Sequence, residues 1–169
     1  NGPSISGFFV APGNTTHVAA VDFDLEDGAQ LAVRLVAAMS DDGAPAYIEK
    51  SRRGAHVWIC LAGVHPARQV RAALLAWCDK AEMPTVNGRL HPKVELRPAS
   101  DSIGEDGIGH ALRLPLMPHP KTGLRYEFAD ANGELLPKRL SDFMLCIEQV
   151  PARVISDVAL LHRPTIDPS

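Results

Sequence analysis

Asp22 and Asp24 stand either side of Phe23 at the end of the apolar stretch 17–24 (HVAAVDFD). In an extended strand, side chains two apart share a face. The two carboxylates would therefore lie side by side, with Phe23 on the opposite face. Like charges that close make one acid hard to ionise, and a divalent cation removes the penalty by using both. Hard oxygen donors of this kind suit Mg2+ or Mn2+. The plainer alternative is a solvated strand end running into the acidic turn at Glu26 and Asp27. Further along, SRRGAH (51–56) puts Arg52, Arg53 and Gly54 on a tight turn before a strand that opens with His56. Guanidinium groups and backbone N–H groups at such a turn suit phosphate oxygens. The alternative is a basic hairpin turn with a histidine at the sheet margin. Glu95 is a lone acid between Val94 and Leu96, and by itself reads as an outward-facing residue of an amphipathic strand. Arg113, inside the apolar run ALRLPL (111–116), either snorkels or reaches an anion in a cleft.

The elements that must position these residues follow from periodicity and punctuation. The stretch 17–24 reads as a buried strand. Residues 29–39 (AQLAVRLVAAM) repeat apolar positions at helical spacing and stop at Ser40-Asp41-Asp42-Gly43. Residues 46–49 and 55–61 (AHVWICL) read as strands around the basic turn. Residues 65–80 read as a helix with Pro66 in its first turn, facing the core through Val64, Val70, Leu74 and Trp77. Residues 94–97 read as a strand cut short by Pro98. Residues 111–116 and 124–128 alternate as two strands bracketing a hairpin connection, 118–123. Ser141 is placed to cap a helix over 142–149, and 154–161 is an apolar run of undetermined type. The order is α+β. Its first part matches the β-α-β-β-α-β succession of RRM- or ferredoxin-like folds, an antiparallel sheet with helices on one face.

The chain has 169 residues, 46% apolar and 22% charged, which excludes a disordered chain or a coiled coil. No apolar run approaches membrane-spanning length, so no membrane association is expected. Cys60, Cys78 and Cys146 form no metal or disulfide spacing, and two of them sit in apolar stretches and read as buried thiols, which fits a reducing cytoplasm. HExxH, Walker-type, GxGxxG and GxSxG motifs are absent, which weighs against zinc hydrolases, P-loop enzymes, Rossmann dehydrogenases and serine hydrolases. The net charge of −3 points away from nucleic acid if taken globally.

In order along one chain, VDFD, SRRGAHVW, the acid at Glu95 and GHALRLPL (109–116) resemble the catalytic motifs of the archaeo-eukaryotic primase superfamily. The nearest likeness is to primase–polymerase domains of bacterial mobile elements and conflict systems. The resemblance covers residues 17–130, preceded by a short segment (1–16) and followed by a C-terminal helix and tail (131–169). It departs from the family pattern in three ways. Glu95 replaces the commoner aspartate, the first motif lies close to the N-terminus, and neither a zinc-binding cysteine set nor a helicase accompanies the motifs. The expectation is a single catalytic core belonging to a larger protein that carries further domains or a helicase.

The resemblance implies template-directed synthesis from nucleoside triphosphates, onto a primer 3′-hydroxyl or an initiating nucleotide, along a single-stranded nucleic-acid template. It implies that Asp22, Asp24 and Glu95 hold two Mg2+ or Mn2+ ions. His56, with Arg53 and Arg113, would hold the triphosphate. Ser51 would shape the turn or bond a phosphate, and Arg52 and Arg97 are candidate template or triphosphate contacts. Setting the three acids against bound cations brings the formal charge from −3 to 0, and leaves the arginines to line one cleft. Weak, salt-sensitive DNA binding is then expected of this core. Two other classes fit the same residues. One is an inactive nucleic-acid-binding module of this fold, and the other is a nuclease or cyclase on a ferredoxin-like sheet.

Overall fold

The computed structural model describes residues 6–104, 111–161 and 165–166; Gly109 and His110 of the GHALRLPL motif lie outside them. The chain runs β1 (Ser6–Phe8), β2 (Thr15–Phe23), α1 (Gly28–Asp41), β3 (Tyr47–Lys50), β4 (Ala55–Pro66) and α2 (Ala67–Lys80). It continues through β5 (Thr85–Val86), β6 (Arg89–Leu90), β7 (Val94–Arg97), β8 (Ala111–Arg113) and β9 (Phe128–Ala129). It closes with α3 (Leu140–Cys146), β10 (Gln149–Val150) and α4 (Ala152–Leu161).

The central sheet has the order β7-β2-β4-β3-β9, every neighbouring pair antiparallel, and β10 adds to β4 in parallel. Within it, β2-α1-β3-β4-α2-β7 is the expected β-α-β-β-α-β unit. Alternation along each strand divides two apolar layers. Ala19, Val21 and Phe23 of β2, Val57, Ile59 and Leu61 of β4 and Val94 and Leu96 of β7 face the main core. There they meet Leu31, Leu35 and Met39 of α1, Val70, Leu74 and Trp77 of α2, and Ile155 and Val158 of α4. The opposite sheet face carries a smaller cluster of Phe9, Ala20, Tyr47, Trp58, Leu116, Phe128 and Phe143. So α3 sits on that second face, whereas the expectation placed the helices on one face only.

Four local expectations change. β4 runs on through His65 and Pro66, because Thr15 and Thr16 of the long β2 pair with them, and α2 begins only at Ala67. Val64 is therefore 66% exposed on the strand extension and takes no part in the core. The hairpin over 111–128 does not form. β8 stops at Arg113 and pairs with β1, and β9 begins at Phe128 and pairs with β3. Pro115, Pro118 and Pro120 cannot donate to a ladder, and Leu116 takes φ 62°. Ser141 lies inside α3 with Arg139 at the cap position, and the undetermined run over 154–161 is helix from Ala152. Of the cysteines, Cys78 is buried, Cys60 half-buried and Cys146 exposed.

Candidate active site

Strand register alone assembles the centre of the site. Asp22 pairs with His56 on one side and with Glu95 on the other, and His56 pairs with Glu49. Directly opposite residues in an antiparallel pair point to the same face, with Cβ atoms about 4.5–5.5 Å apart. The result is a row Glu95–Asp22–His56–Glu49 across β7, β2, β4 and β3, on the face away from α1 and α2. Two residues along each strand lies a second row on the same face, Arg97–Ala20–Trp58–Tyr47.

The side chains of the first row are linked. His56 Nδ1 lies 2.8 Å from Glu49 Oε2, and His56 Nε2 lies 3.4 Å from Asp22 Oδ1. Glu49 is fully buried and accepts two further bonds, from Trp58 Nε1 at 2.9 Å and from an Arg113 Nη2. Burial alone would lift its carboxyl above the ordinary glutamate value. The hydrogen bond and charge of His56, with Arg113 and Trp58, outweigh burial and hold the carboxyl below the ordinary glutamate value. Asp22 goes the other way. Burial lifts its carboxyl above the ordinary aspartate value; His56 and Arg97 pull it down, while Glu95 and Asp24 push it up. The repulsion anticipated between neighbouring acids is therefore present at Asp22, although burial is the larger cause.

Asp24 lies just past the end of β2, where its N–H donates to the Lys93 carbonyl at 2.9 Å. Its carboxylate is 3.2 Å from Arg53 Nε, both groups well exposed. Glu95 is paired with Arg97, which also donates to the Leu96 carbonyl. Arg97 is buried and its Nε has no hydrogen-bond partner among the described residues, so this candidate template contact is turned onto Glu95 instead of lying on open surface. Ser51 shapes its turn: its Oγ accepts from Gly54 N–H at 3.1 Å and its own N–H donates to the Gly54 carbonyl at 3.0 Å. That turn presses on the end of β2 so closely that only glycine fits at 54. Arg52 is exposed. Arg113 donates to the Met117 carbonyl as well as to Glu49, and its guanidinium lies 5.6 Å from the Tyr126 ring centroid. His119 meets Tyr126 edge-on at 5.7 Å. Desolvation and the charges of Arg113, Arg52 and Lys121 hold the His119 imidazole below the ordinary histidine value.

The predicted residues thus fall into three neighbouring sets. Asp22, Glu95 and His56 share the row. Asp24 and Arg53 form an ion pair at the strand end. Arg113 reaches the row through Glu49. Glu49 itself escaped the sequence reading, as did Trp58. The signal was available, because a turn over Ser51–Gly54 makes Lys50 oppose Ala55 and hence Glu49 oppose His56. Among the described residues, no three of His, Cys, Asp and Glu converge as a ready metal cage. The donor chemistry still suits a hard cation, since Asp22, Asp24 and Glu95 offer carboxylate oxygens and Asp22 is burdened by its acidic neighbours.

These rows coincide with a sequence match. The archaeo-eukaryotic primase domain of the TOTE conflict system matches residues 2–158. The chain belongs to this primase family. No curated protein sequence matches it. Membership makes this a nucleotidyl-transfer domain of the primase–polymerase class, and it places both motif-bearing turns, the four-strand row and Arg113 inside the family region. No helix among the described residues is long and apolar enough to cross a membrane.

Proposed function

We propose that this primase domain carries out template-directed nucleotidyl transfer from nucleoside triphosphates, onto a primer 3′-hydroxyl or an initiating nucleotide. The observation that carries the reading is the row Glu95–Asp22–His56, set by the pairing of three adjacent strands. It brings acid, acid and imidazole from three separate motifs onto one open face. Asp22, Asp24 and Glu95 would hold Mg2+ or Mn2+, and such ions, when bound, neutralise charge developing on the transferred phosphate. A cation binding Asp24 and Glu95 would displace Arg53 and Arg97 from them. His56 presents Nε2 beside Asp22, facing the position proposed for the triphosphate. Arg53, released from Asp24, and Arg113, whose planar fork suits phosphate, would supply the remaining positive charge. Ser51 acts through the turn it closes. Arg52, exposed on the basic turn, would contact the template or the triphosphate tail.

Incubation with a single-stranded template, labelled nucleoside triphosphates and Mn2+ or Mg2+ tests this, with products sized on a gel. We expect template-dependent extension that disappears with Asp22→Ala or Asp24→Ala while the fold survives. Extension at the wild-type rate by either variant overturns the metal assignment. Products made without template point to a cyclase-like enzyme, shortened template to a nuclease, and template binding without products to an inactive module. Any of the three overturns the proposal.

A further inference from the structure

We propose that Glu49 is the positioning residue of the nucleotide site, one buried carboxylate that orients both the His56 imidazole and the Arg113 guanidinium. This rests on the reading of His56 and Arg113 as phosphate-holding groups. Glu49 lies at 0% exposure on β3, in register with His56. One of its oxygens lies 2.8 Å from His56 Nδ1 and takes Trp58 Nε1–H at 2.9 Å; the other takes Arg113. A buried carboxylate without partners is strongly disfavoured, and here three donors from two elements meet it.

The consequence for His56 is geometric. An ionised carboxylate only accepts, so the nitrogen facing Glu49 is the one that carries a hydrogen. Nε2 is then the nitrogen presented to the open face, 3.4 Å from Asp22 Oδ1. Trp58 holds the carboxylate in turn, and its indole is stacked on Phe9 with ring centroids 5.8 Å apart. The orientation of His56 is thus anchored in the second apolar cluster through Phe9, Trp58 and Glu49. Arg113 is fixed by the same carboxylate and by the Met117 carbonyl. Two groups from distant parts of the sequence are set relative to each other by one side chain.

Glutamine at this position has nearly the shape of glutamate but only one acceptor oxygen. If that oxygen serves His56 and Trp58, the amide NH2 confronts the Arg113 guanidinium, donor against donor. Glu49→Gln should therefore loosen both phosphate-holding groups while leaving the metal-side acids in place. We expect KM for the incoming nucleoside triphosphate to rise about tenfold, the equivalent of one charge-assisted hydrogen bond, with a smaller change in kcat. In a His56→Ala background the same substitution should raise KM less than in the wild type, because one of the two oriented groups is already gone. An undiminished tenfold effect in that background, or an unchanged KM in the single variant, overturns the proposal. The wild-type protein supplies a second readout independent of activity and of any variant's stability. The 15N spectrum of its histidine side chains should show His56 protonated at Nδ1. A neutral His56 protonated only at Nε2 overturns the assignment even if Glu49→Gln fails to fold. A wild-type protein that incorporates no nucleotide refutes the proposed function, and the imidazole spectrum still decides the role of Glu49.

Discussion

Gly54→Ala is the sharpest test of how the basic turn meets the metal-side strand. A Cβ at position 54 would stand 1.8 Å from the Phe23 carbonyl oxygen, 3.0 Å from the Phe23 carbonyl carbon and 3.1 Å from the Leu25 carbonyl oxygen. All three are backbone atoms, so no side-chain rotation relieves the clash. Reaching an ordinary contact of about 3.4 Å requires the two backbones to part by about 1.6 Å. Gly28, at the start of α1, packs into the same spot, its own Cβ position 2.9 Å from the Phe23 oxygen and 3.1 Å from Gly54 Cα. The turn therefore cannot shift toward α1. The displacement falls between Asp22–Asp24 on one side and Ser51–His56 on the other, the two halves of the site. Overpacking of this kind costs about 1–3 kcal/mol. For a chain of this length that lowers Tm by about 2–4 °C per kcal/mol. Misplacement of order 1 Å in an active site can cost about 100-fold in rate, so nucleotide incorporation should fall by about that factor. Thermal melts followed by circular dichroism, beside primer-extension kinetics, read both quantities. Gly104→Ala is the control, because a Cβ there meets nothing within 4 Å; it should stay within about 0.5 kcal/mol of wild type. If Gly54→Ala melts and extends primers like Gly104→Ala, the close approach does not hold the site together.

Three further outcomes follow from the same structure. Burial holds the Asp22 carboxyl above the ordinary aspartate value, so the folded, metal-free protein binds this proton more tightly than the unfolded chain and stability falls as pH rises from about the ordinary aspartate value through the folded one. Asp22→Asn should raise the Tm of the metal-free protein at neutral pH while abolishing incorporation, and a lower Tm would contradict the burial argument. Glu49 has the opposite sign: its contribution is present above the ordinary glutamate range and is lost as pH falls through its lowered folded value. Acid unfolding of Glu49→Gln should accordingly be less steep over that interval, as measured by melts at stepped pH. Thiol labelling should find Cys146 fast and Cys78 silent until unfolding, because Cys78 is buried and burial pushes its thiol up to about 12; labelling of Cys78 in the native protein would contradict its place in the core.

Much of the β-α-β-β-α-β unit was legible because its signals are local. Leu31, Leu35 and Met39 repeat at helical spacing and all face the core, and Val57 and Ile59 alternate with His56 and Trp58 as a strand requires. Where pairing competes with local preference, the local reading loses. His65 and Pro66 look like a helix start, but Thr15 and Thr16 draw them into the sheet. Beyond Arg113 the prolines leave no ladder to extend, and no local pattern announces that β8 will seek β1 at the far end of the chain. The site divides the same way. The acids and His56 were visible as residue types near strand ends. Glu49 was not, because an acid before a basic turn looks solvated until register places it opposite His56 and under Trp58. Arg97 looked like a free cation for the complementary reason: its partner, Glu95, lies two residues away on the same strand face.

The row Glu95–Asp22–His56–Glu49 also explains why fold and site are hard to separate in this domain. No catalytic loop fixes these four residues; three strand pairings do. A slip of one residue in any pairing would move its whole side-chain set to the helix-packed face. There, Asp22 would replace Val21 or Phe23 among Leu31, Leu35 and Trp77, burying an unpaired charge. The apolar layer beneath the sheet thus enforces the register that the chemistry above it needs, and Gly54 against Phe23 locks the hairpin end of that register. The cost sits on the opposite face, where burial and two acidic neighbours lift the Asp22 carboxyl above the ordinary aspartate value. Asp24 and Glu95 are balanced by Arg53 and Arg97, but His56, 3.4 Å from Asp22, is tied on its other side to Glu49. Asp22 is therefore the carboxylate with most to gain from a cation. It is also the central acid of the row, with Glu95 and His56 as its cross-strand neighbours.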